Sequence, residues 1–146
     1  MTRVDFYQLA DTSPQAPLLT TCKLVRKALR EHTRIFIQVP DARMGEQLDE
    51  LLWSFDSEAF VPHALLPRDK NDDAPVVIGV GSAPEPHDDL LINLSDELPG
   101  RFASFQRICE LVPASDEQRN KARDRYKHYK DRGYPLNYHT LDKRCS

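Results

Sequence analysis

The sequence predicts an α/β fold in which a doubly wound, mostly parallel sheet is flanked by helices. Segments with strand composition alternate with segments whose apolar residues recur at helical spacing, which is typical of this layered architecture. Residues 34–39 read RIFIQV, and such a nearly continuous apolar run indicates a parallel strand buried on both faces. No repeat or linker divides the 146 residues, so we expect one domain over residues 1–146.

The individual elements are assigned from apolar periodicity, chain breakers and capping residues. We expect strands at residues 3–9, 34–39, 75–80, 89–94 and 107–112. We expect helices at residues 17–32, 44–55, 99–105 and 115–133, the second of them capped by Asp41. Residues 55–70 are expected to be irregular because Pro62 and Pro67 interrupt them.

The helix at residues 115–133 carries the clearest start and stop signals. Ser115 and Gln118 have the spacing of a capping box, and Gly133 is placed to end the helix in the left-handed conformation. Pro135 cannot continue a helix, and the residues after it show no further periodic pattern. We therefore expect residues 135–146 to form a flexible tail.

The charges are distributed unevenly along the chain. The whole chain has a net charge of −3, with 20 Lys and Arg against 23 Asp and Glu. Residues 1–114 have a net charge of −7 and residues 115–146 a net charge of +4. An acidic body disfavours general nucleic-acid binding, whereas the basic end suggests an anionic partner. The absence of an apolar leader or spanning segment predicts a cytoplasmic protein that does not contact membranes.

The patterns for catalysis, metal binding and cofactor binding are absent from the sequence. No phosphate-binding loop occurs, and Gly79 and Gly81 precede another strand-like segment instead of the helix that a dinucleotide site requires. No two histidines have the i, i+4 spacing of a helical zinc site, and no cysteine pair accompanies them. We therefore expect no catalytic residue, no metal and no cofactor.

The helix at residues 115–133 presents a stripe of cations beside aromatic residues. The stripe is about 80° wide, and its members are Arg119, Arg123, Lys127 and Lys130. Tyr126 and Tyr129 adjoin it. The helix could be an ordinary amphipathic one, with tyrosines in the core and cations in water. It could also dock an acidic peptide with an apolar anchor, or a single nucleic-acid strand.

A second candidate region surrounds the only tryptophan, Trp53. The helix of which it is part leads into a stretch with Phe60, Pro62 and His63. Its aromatic residues could simply fill the core. Alternatively they could form the energetic centre of a protein interface, where aromatic side chains are enriched.

Several segments, in their order and spacing, resemble the chi subunit family of bacterial DNA polymerase III. The segments read VDFYQL, LDELLW, FVPH, APVVI, DLLINL and ARDRYKHYKDRGYPLN. The resemblance implies a nucleotide-binding-like fold without nucleotide chemistry, in a subunit that takes part in DNA replication and repair. It implies pairing with the psi subunit of the clamp-loader complex and binding of the acidic C-terminal tail of single-stranded-DNA-binding protein. It also implies an XPD-like helicase as a competitor of psi, and only indirect contact with nucleic acid.

The resemblance also assigns roles to particular residues. Arg123, Tyr126 and Lys127 match the tail-binding helix of the family, and Arg119 and Lys130 extend their stripe. The psi or helicase surface is assigned to the residues of the second region, which are Trp53, Phe60, Pro62 and His63. A nucleotide-handling enzyme and a direct binder of single-stranded DNA remain the alternatives from other functional classes.

Overall fold

The structure is a computed structural model that describes residues 2–31, 33–54, 61–66, 69, 74–81, 89–100 and 102–141. The strands are β1 Arg3–Leu9, β2 Ile35–Gln38, β3 His63–Leu65, β4 Val76–Gly79, β5 Leu90–Asn93, β6 Arg107–Val112 and β7 Leu136–Leu141. The helices are α1 Ala16–Leu29, α2 Ala42–Ser54 and α3 Asp116–Asp131, together with a 3-10 turn at Phe102–Ser104.

All seven strands form one sheet in the order β3-β4-β2-β5-β6-β1-β7, and every pairing between neighbours is parallel. Residues of α1 and α2 pack on one face of the sheet, together with side chains such as Ile37 and Ile78. On the other face, Ala122 and Tyr129 of α3 pack with Phe6 and Ile108. Helices therefore cover both faces, which confirms the predicted α/β fold. No helix in the described part of the chain is long and apolar enough to cross a membrane.

Several of the expected local signals are present at the residues that carry them. The strand predicted at residues 3–9 is observed with those bounds. The backbone N–H of Met44 donates to Asp41 Oδ1 at 2.8 Å, which caps the start of α2. The N–H of Gln118 donates to Ser115 Oγ at 3.2 Å. Gly133 follows α3 with φ of 81°, a conformation that favours glycine.

Three expectations from the sequence are corrected by the structure. The stretch at residues 55–70 contains the short strand β3 rather than only irregular chain. The helix expected at residues 99–105 is only the 3-10 turn at Phe102–Ser104. The tail expected from residue 135 contains β7 as far as Leu141, while residues 142–146 lie outside the described part. Both strands were missed because pairing with distant segments, β4 and β1, stabilises them, and local propensity does not report such pairing.

A buried polar network attaches α3 to the sheet. Glu110 on β6 is 0% exposed, and its carboxylate accepts hydrogen bonds from Arg125 Nε at 3.1 Å and Tyr129 Oη at 2.8 Å. A third donor is Asn93 Nδ2 of β5, at 2.9 Å. Burial raises the pKa of Glu110, and the charge of Arg125 and the three donors counteract that shift. The network fixes both the position and the rotation of α3.

We expect Glu110→Gln to destabilise the protein by roughly 3–5 kcal/mol, because it leaves the buried charge of Arg125 without its counter-charge. Urea denaturation measures the change in the free energy of unfolding. Glu117→Gln is the matched control, since Glu117 is an exposed carboxylate on the same helix. Equal denaturation midpoints for Glu110→Gln and the control would show that the network contributes nothing specific to stability.

A second ionic cluster joins β1, β6 and β7 on the face opposite α3. Asp5 Oδ2 accepts a hydrogen bond from Arg107 Nε at 2.8 Å and lies 3.4 Å from Arg3 Nε. Asn137 Nδ2 of β7 donates to the other oxygen of Asp5 at 3.1 Å. Burial alone would raise the pKa of Asp5, but the bonds from Arg107 and Asn137 and the charges of the two arginines lower it below 3.8.

Because the pKa of Asp5 is lowered on folding, its ionised form stabilises the protein above pH 3.8 and this contribution is lost as the pH falls through the lowered value. We expect Asp5→Asn to lower the free energy of unfolding at pH 7 by about 1–3 kcal/mol. The difference from the unmodified protein should shrink below about pH 4. Denaturation across a pH series measures it, with the exposed Asp124→Asn as control. A difference that is constant with pH would contradict the ionic role of Asp5.

Candidate functional site

The cations on the two sides of α3 differ in whether they form ion pairs within the protein. On the side toward β5, Lys121 Nζ pairs with Asp96 at 2.6 Å, and Arg125 pairs with the buried Glu110. On the other side, the described residues provide no carboxylate within ion-pair distance of Arg123, Lys127 or Lys130, all of which are exposed. Among the described carboxylates, only that of the exposed Asp116 lies within ion-pair distance of Arg119, at 3.9 Å, and the Arg119 side chain is 36% exposed. The predicted stripe is therefore an accessible set of cations with little internal neutralisation.

The two tyrosines of α3 have different environments. Tyr129 is completely buried and bonded to Glu110, so the interpretation of the tyrosines as core residues is right for Tyr129. Tyr126 is only partly buried, and its ring lies 5.4 Å from Phe6 and 6.2 Å from Tyr138 of β7. Phe6 and Tyr138 are stacked, with ring centroids 5.8 Å apart and planes at 13°. Tyr126 thus belongs to an aromatic group at the edge of the core.

Tyr138 connects this aromatic group to the cations. Its side chain is 47% exposed, and its hydroxyl donates to Gln8 on β1. Burial raises the pKa of Tyr138, while the nearby charges of Arg119 and Arg123 act in the opposite direction. Tyr138 therefore lies beside Tyr126 and near Arg119 and Arg123. We call these four residues, together with Lys127 and Lys130 of the same stripe, the α3–β7 surface.

Tyr138 was not among the residues expected from the sequence, because the segment containing it was expected to be a flexible tail. Its position depends on the register of β7 against β1, which places Tyr138 beside Phe6. The sequence carries no clear strand signal here, because four consecutive central residues of LNYHTL are exposed and apolar and polar residues do not alternate along the segment.

The second predicted region lies at the opposite edge of the sheet, beside β3. Trp53 near the end of α2 is 56% exposed, so it does not fill the core. Its ring lies 4.9 Å from the ring of His63. Pro62 is exposed next to them, whereas Phe60 lies outside the described residues. Trp53, Pro62 and His63 form what we call the α2–β3 surface.

His63 is held rigidly beneath Trp53. Its Nδ1 lies 2.7 Å from the carbonyl oxygen of Val61 and its Nε2 lies 2.9 Å from Asp49 Oδ1. The side chains of His63 and Asp49 are 1% and 8% exposed. Both ring nitrogens face acceptors, so both hydrogen bonds form only when two protons reside on the ring or when Asp49 carries one. This pair fixes the ring on which Trp53 packs.

Within the part of the chain that the structure describes, no three His, Cys, Asp or Glu side chains are placed to hold a metal ion. Cys22 and Cys109 are buried free thiols, and burial raises the pKa of each to about 12. A thiol with a raised pKa is a poor nucleophile at neutral pH.

The chain matches a known protein family over most of its length. The model of the family described as DNA polymerase III chi subunit, HolC, matches residues 1–137. The chain belongs to the DNA polymerase III chi subunit family. The matched residues include both α3 and Trp53 but end just before Tyr138. Membership in the chi family makes the protein a subunit of DNA polymerase III and implies a role in DNA replication.

Individual chi relatives cover most of the chain. The chi subunit of Pseudomonas aeruginosa is 43% identical over 141 residues, which cover 97% of this chain and 98% of that protein. The chi subunit of Haemophilus influenzae is 31% identical and covers 90% of this chain and 92% of its own length. The Escherichia coli chi subunit is 32% identical, with 80% of each chain covered.

Among solved structures, T4 UvsW has a similar fold, with a TM-score of 0.64. The similarity covers 97% of this chain but only 42% of UvsW, at 10% sequence identity. At this identity the likeness concerns the fold alone. It agrees with the α/β architecture predicted from the sequence.

We expect Trp53 and His63 of the α2–β3 surface to differ in their effect on stability. Trp53→Ala should change the free energy of unfolding by less than about 1 kcal/mol, because the indole is mainly exposed. His63→Ala should lower it by about 1–3 kcal/mol, because it removes two buried hydrogen bonds. Thermal or urea denaturation of both variants measures this. A larger loss for Trp53→Ala than for His63→Ala would assign Trp53 to the core.

Proposed function

We propose that this chi-family protein is a non-catalytic, clamp-loader-associated subunit that binds the acidic C-terminal tail of single-stranded-DNA-binding protein at the α3–β7 surface. The observation that carries the proposal is that the cations on one side of α3 form ion pairs within the protein, whereas those on the other side are exposed. Arg123 and Lys127 are exposed and have no carboxylate partner among the described residues, whereas Lys121 and Arg125 are paired. Peptide carboxylates would supply the missing counter-charges through charge-assisted hydrogen bonds.

The aromatic part of the α3–β7 surface suits an apolar anchor of the same peptide. Tyr126 and Tyr138 present partly exposed rings next to the guanidinium groups, with Phe6 beneath them. An anchor side chain buried on these rings would add affinity that depends little on salt, whereas the ionic part should weaken as salt rises. Both contributions together distinguish an acidic tail with an apolar end from any acidic segment.

The dimensions of the stripe also favour a short peptide over a nucleic-acid strand. From Arg119 to Lys130 the helix rises about 17 Å, which is the length of roughly five residues of extended peptide. The rest of the chain is acidic, with a net charge of −7 over residues 1–114, and would repel a strand that continued beyond the stripe. This charge distribution supports indirect contact with DNA through the coat protein.

The psi subunit is proposed to bind the α2–β3 surface, with Phe60 as a further contact carried by the family resemblance. β3 and β7 are the two edge strands of the sheet, so the two surfaces lie at opposite edges. The protein could therefore hold both partners at once and act as a tether, which makes the next encounter intramolecular. An XPD-like helicase is proposed to compete with psi for the α2–β3 surface.

We expect Arg123→Ala and Lys127→Ala each to weaken binding of the acidic tail peptide by about 1–3 kcal/mol, the range for a charged hydrogen bond. Fluorescence anisotropy with a labelled peptide at low salt measures the affinity. Lys121→Ala is the matched control, since it removes the same charge from the same helix on the paired side. If Lys121→Ala weakens binding as much as Arg123→Ala does, only net charge matters and the α3–β7 surface is not the site.

We expect Trp53→Ala to weaken binding of psi by about 2 kcal/mol or more, which is the range of an interface hot spot. Tail-peptide binding by the same variant should be unchanged, because the two surfaces lie at opposite edges of the sheet. Calorimetric titration with purified psi measures the first effect and anisotropy measures the second. Full psi affinity in a folded Trp53→Ala variant would remove Trp53 from the proposed interface.

A further inference from the structure

The outer edge of β7 has backbone groups that no described strand pairs. β7 is the last strand of the sheet, and its inner edge bonds to β1. The N–H of Val4 donates to the carbonyl of Pro135 and the N–H of Ala10 donates to that of Leu141, both at 3.0 Å. Along a strand, the backbone N–H and C=O groups of successive residues point to opposite edges. Because the carbonyl groups of Pro135 and Leu141 point toward β1, the N–H and C=O groups of Tyr138 and Thr140 point outward, away from β1.

This edge lacks the usual protection of exposed strands. Natural edge strands carry charged side chains, proline or bulges that prevent pairing with other chains. The sequence of β7, LNYHTL, contains no Lys, Arg, Asp, Glu or Pro, and its four central residues are exposed. The six residue pairs with β1 run without interruption, so no bulge interrupts this register. A free, regular and uncharged edge is a template for an added strand.

The charges beside the edge indicate which chain would pair with it. Arg119 and Arg123 lie on the side of α3 next to Tyr138, so a segment added along β7 would run beside two guanidinium groups. A second copy of this chain, paired edge to edge through a twofold axis, would bring two such basic stripes together. An extended acidic peptide would instead neutralise them.

We propose that an acidic peptide binds as an eighth strand along the outer edge of β7, with main-chain hydrogen bonds to Tyr138 and Thr140 and carboxylates at Arg119 and Arg123. The inference deepens the proposed function and rests on it, since the peptide is the tail proposed above. Strand addition provides affinity through the backbone, while the α3–β7 surface selects acidic and apolar side chains.

Backbone methylation of the peptide tests the pairing without altering the protein. A labelled acidic tail peptide is compared, by anisotropy, with versions N-methylated at single successive positions. Strand pairing predicts a period of two, in which alternate positions lose about tenfold or more in affinity and the positions between them lose little. Thr140→Pro provides the complementary variant, because it removes an outward N–H while leaving the ladder with β1 intact. We expect a similar loss, with Thr140→Ala as control.

The outcomes separate this inference from the proposed function. If the unmodified peptide binds and Arg123→Ala weakens it, but methylation has equal effects at every position, strand addition is wrong and the tail-binding function stands. If the unmodified peptide does not bind at all, both fail. Sedimentation that shows a dimer of this chain dissociated by Thr140→Pro would assign the edge to a second copy and overturn the proposal.

Discussion

Glu110 is completely buried in β6, and its carboxylate receives hydrogen bonds from α3 and β5. Because Arg125 and Tyr129 both bond to this carboxylate, the rotation of α3 about its own axis is fixed. That rotation turns Arg119 and Arg123 toward β7 and leaves Lys121 to pair with Asp96. A shift of one residue along the helix would rotate the surface by about 100° and separate the cations from the aromatic rings. The geometry of the proposed tail site thus depends on a buried ionic network that never contacts the ligand.

The sheet order determines how the two interaction surfaces are arranged. Because β3 and β7 are opposite edge strands, the α2–β3 and α3–β7 surfaces lie at opposite edges of a sheet seven strands wide. At about 4.8 Å per strand the two edges are separated by roughly 29 Å. This separation suits a protein that links two partners, and each contact can be individually modest because the linkage raises the local concentration of the second partner.

The sequence was informative where local interactions decide the structure. Helix α3 followed from Ser115, Gln118 and Gly133, and its cationic stripe followed from the spacing of the residues, because both depend on neighbours within a turn. The sequence could not reveal β7 or Tyr138, because strand pairing across more than 130 residues decides them. It also left the environments of Tyr126 and Tyr129 undetermined. Two tyrosines three positions apart look equivalent in a pattern, yet only Tyr129 reaches Glu110.

The proposed function requires that the basic helix recognises an acidic peptide and not a nucleic-acid strand. The most direct measurement is anisotropy of the unmodified protein against a labelled tail peptide and a labelled single-stranded oligonucleotide, each at low and moderate salt. We expect saturable peptide binding that weakens but persists at moderate salt, with no binding of the oligonucleotide at either salt concentration. Binding of the oligonucleotide without binding of the peptide would contradict the proposed function and make α3 a nucleic-acid contact.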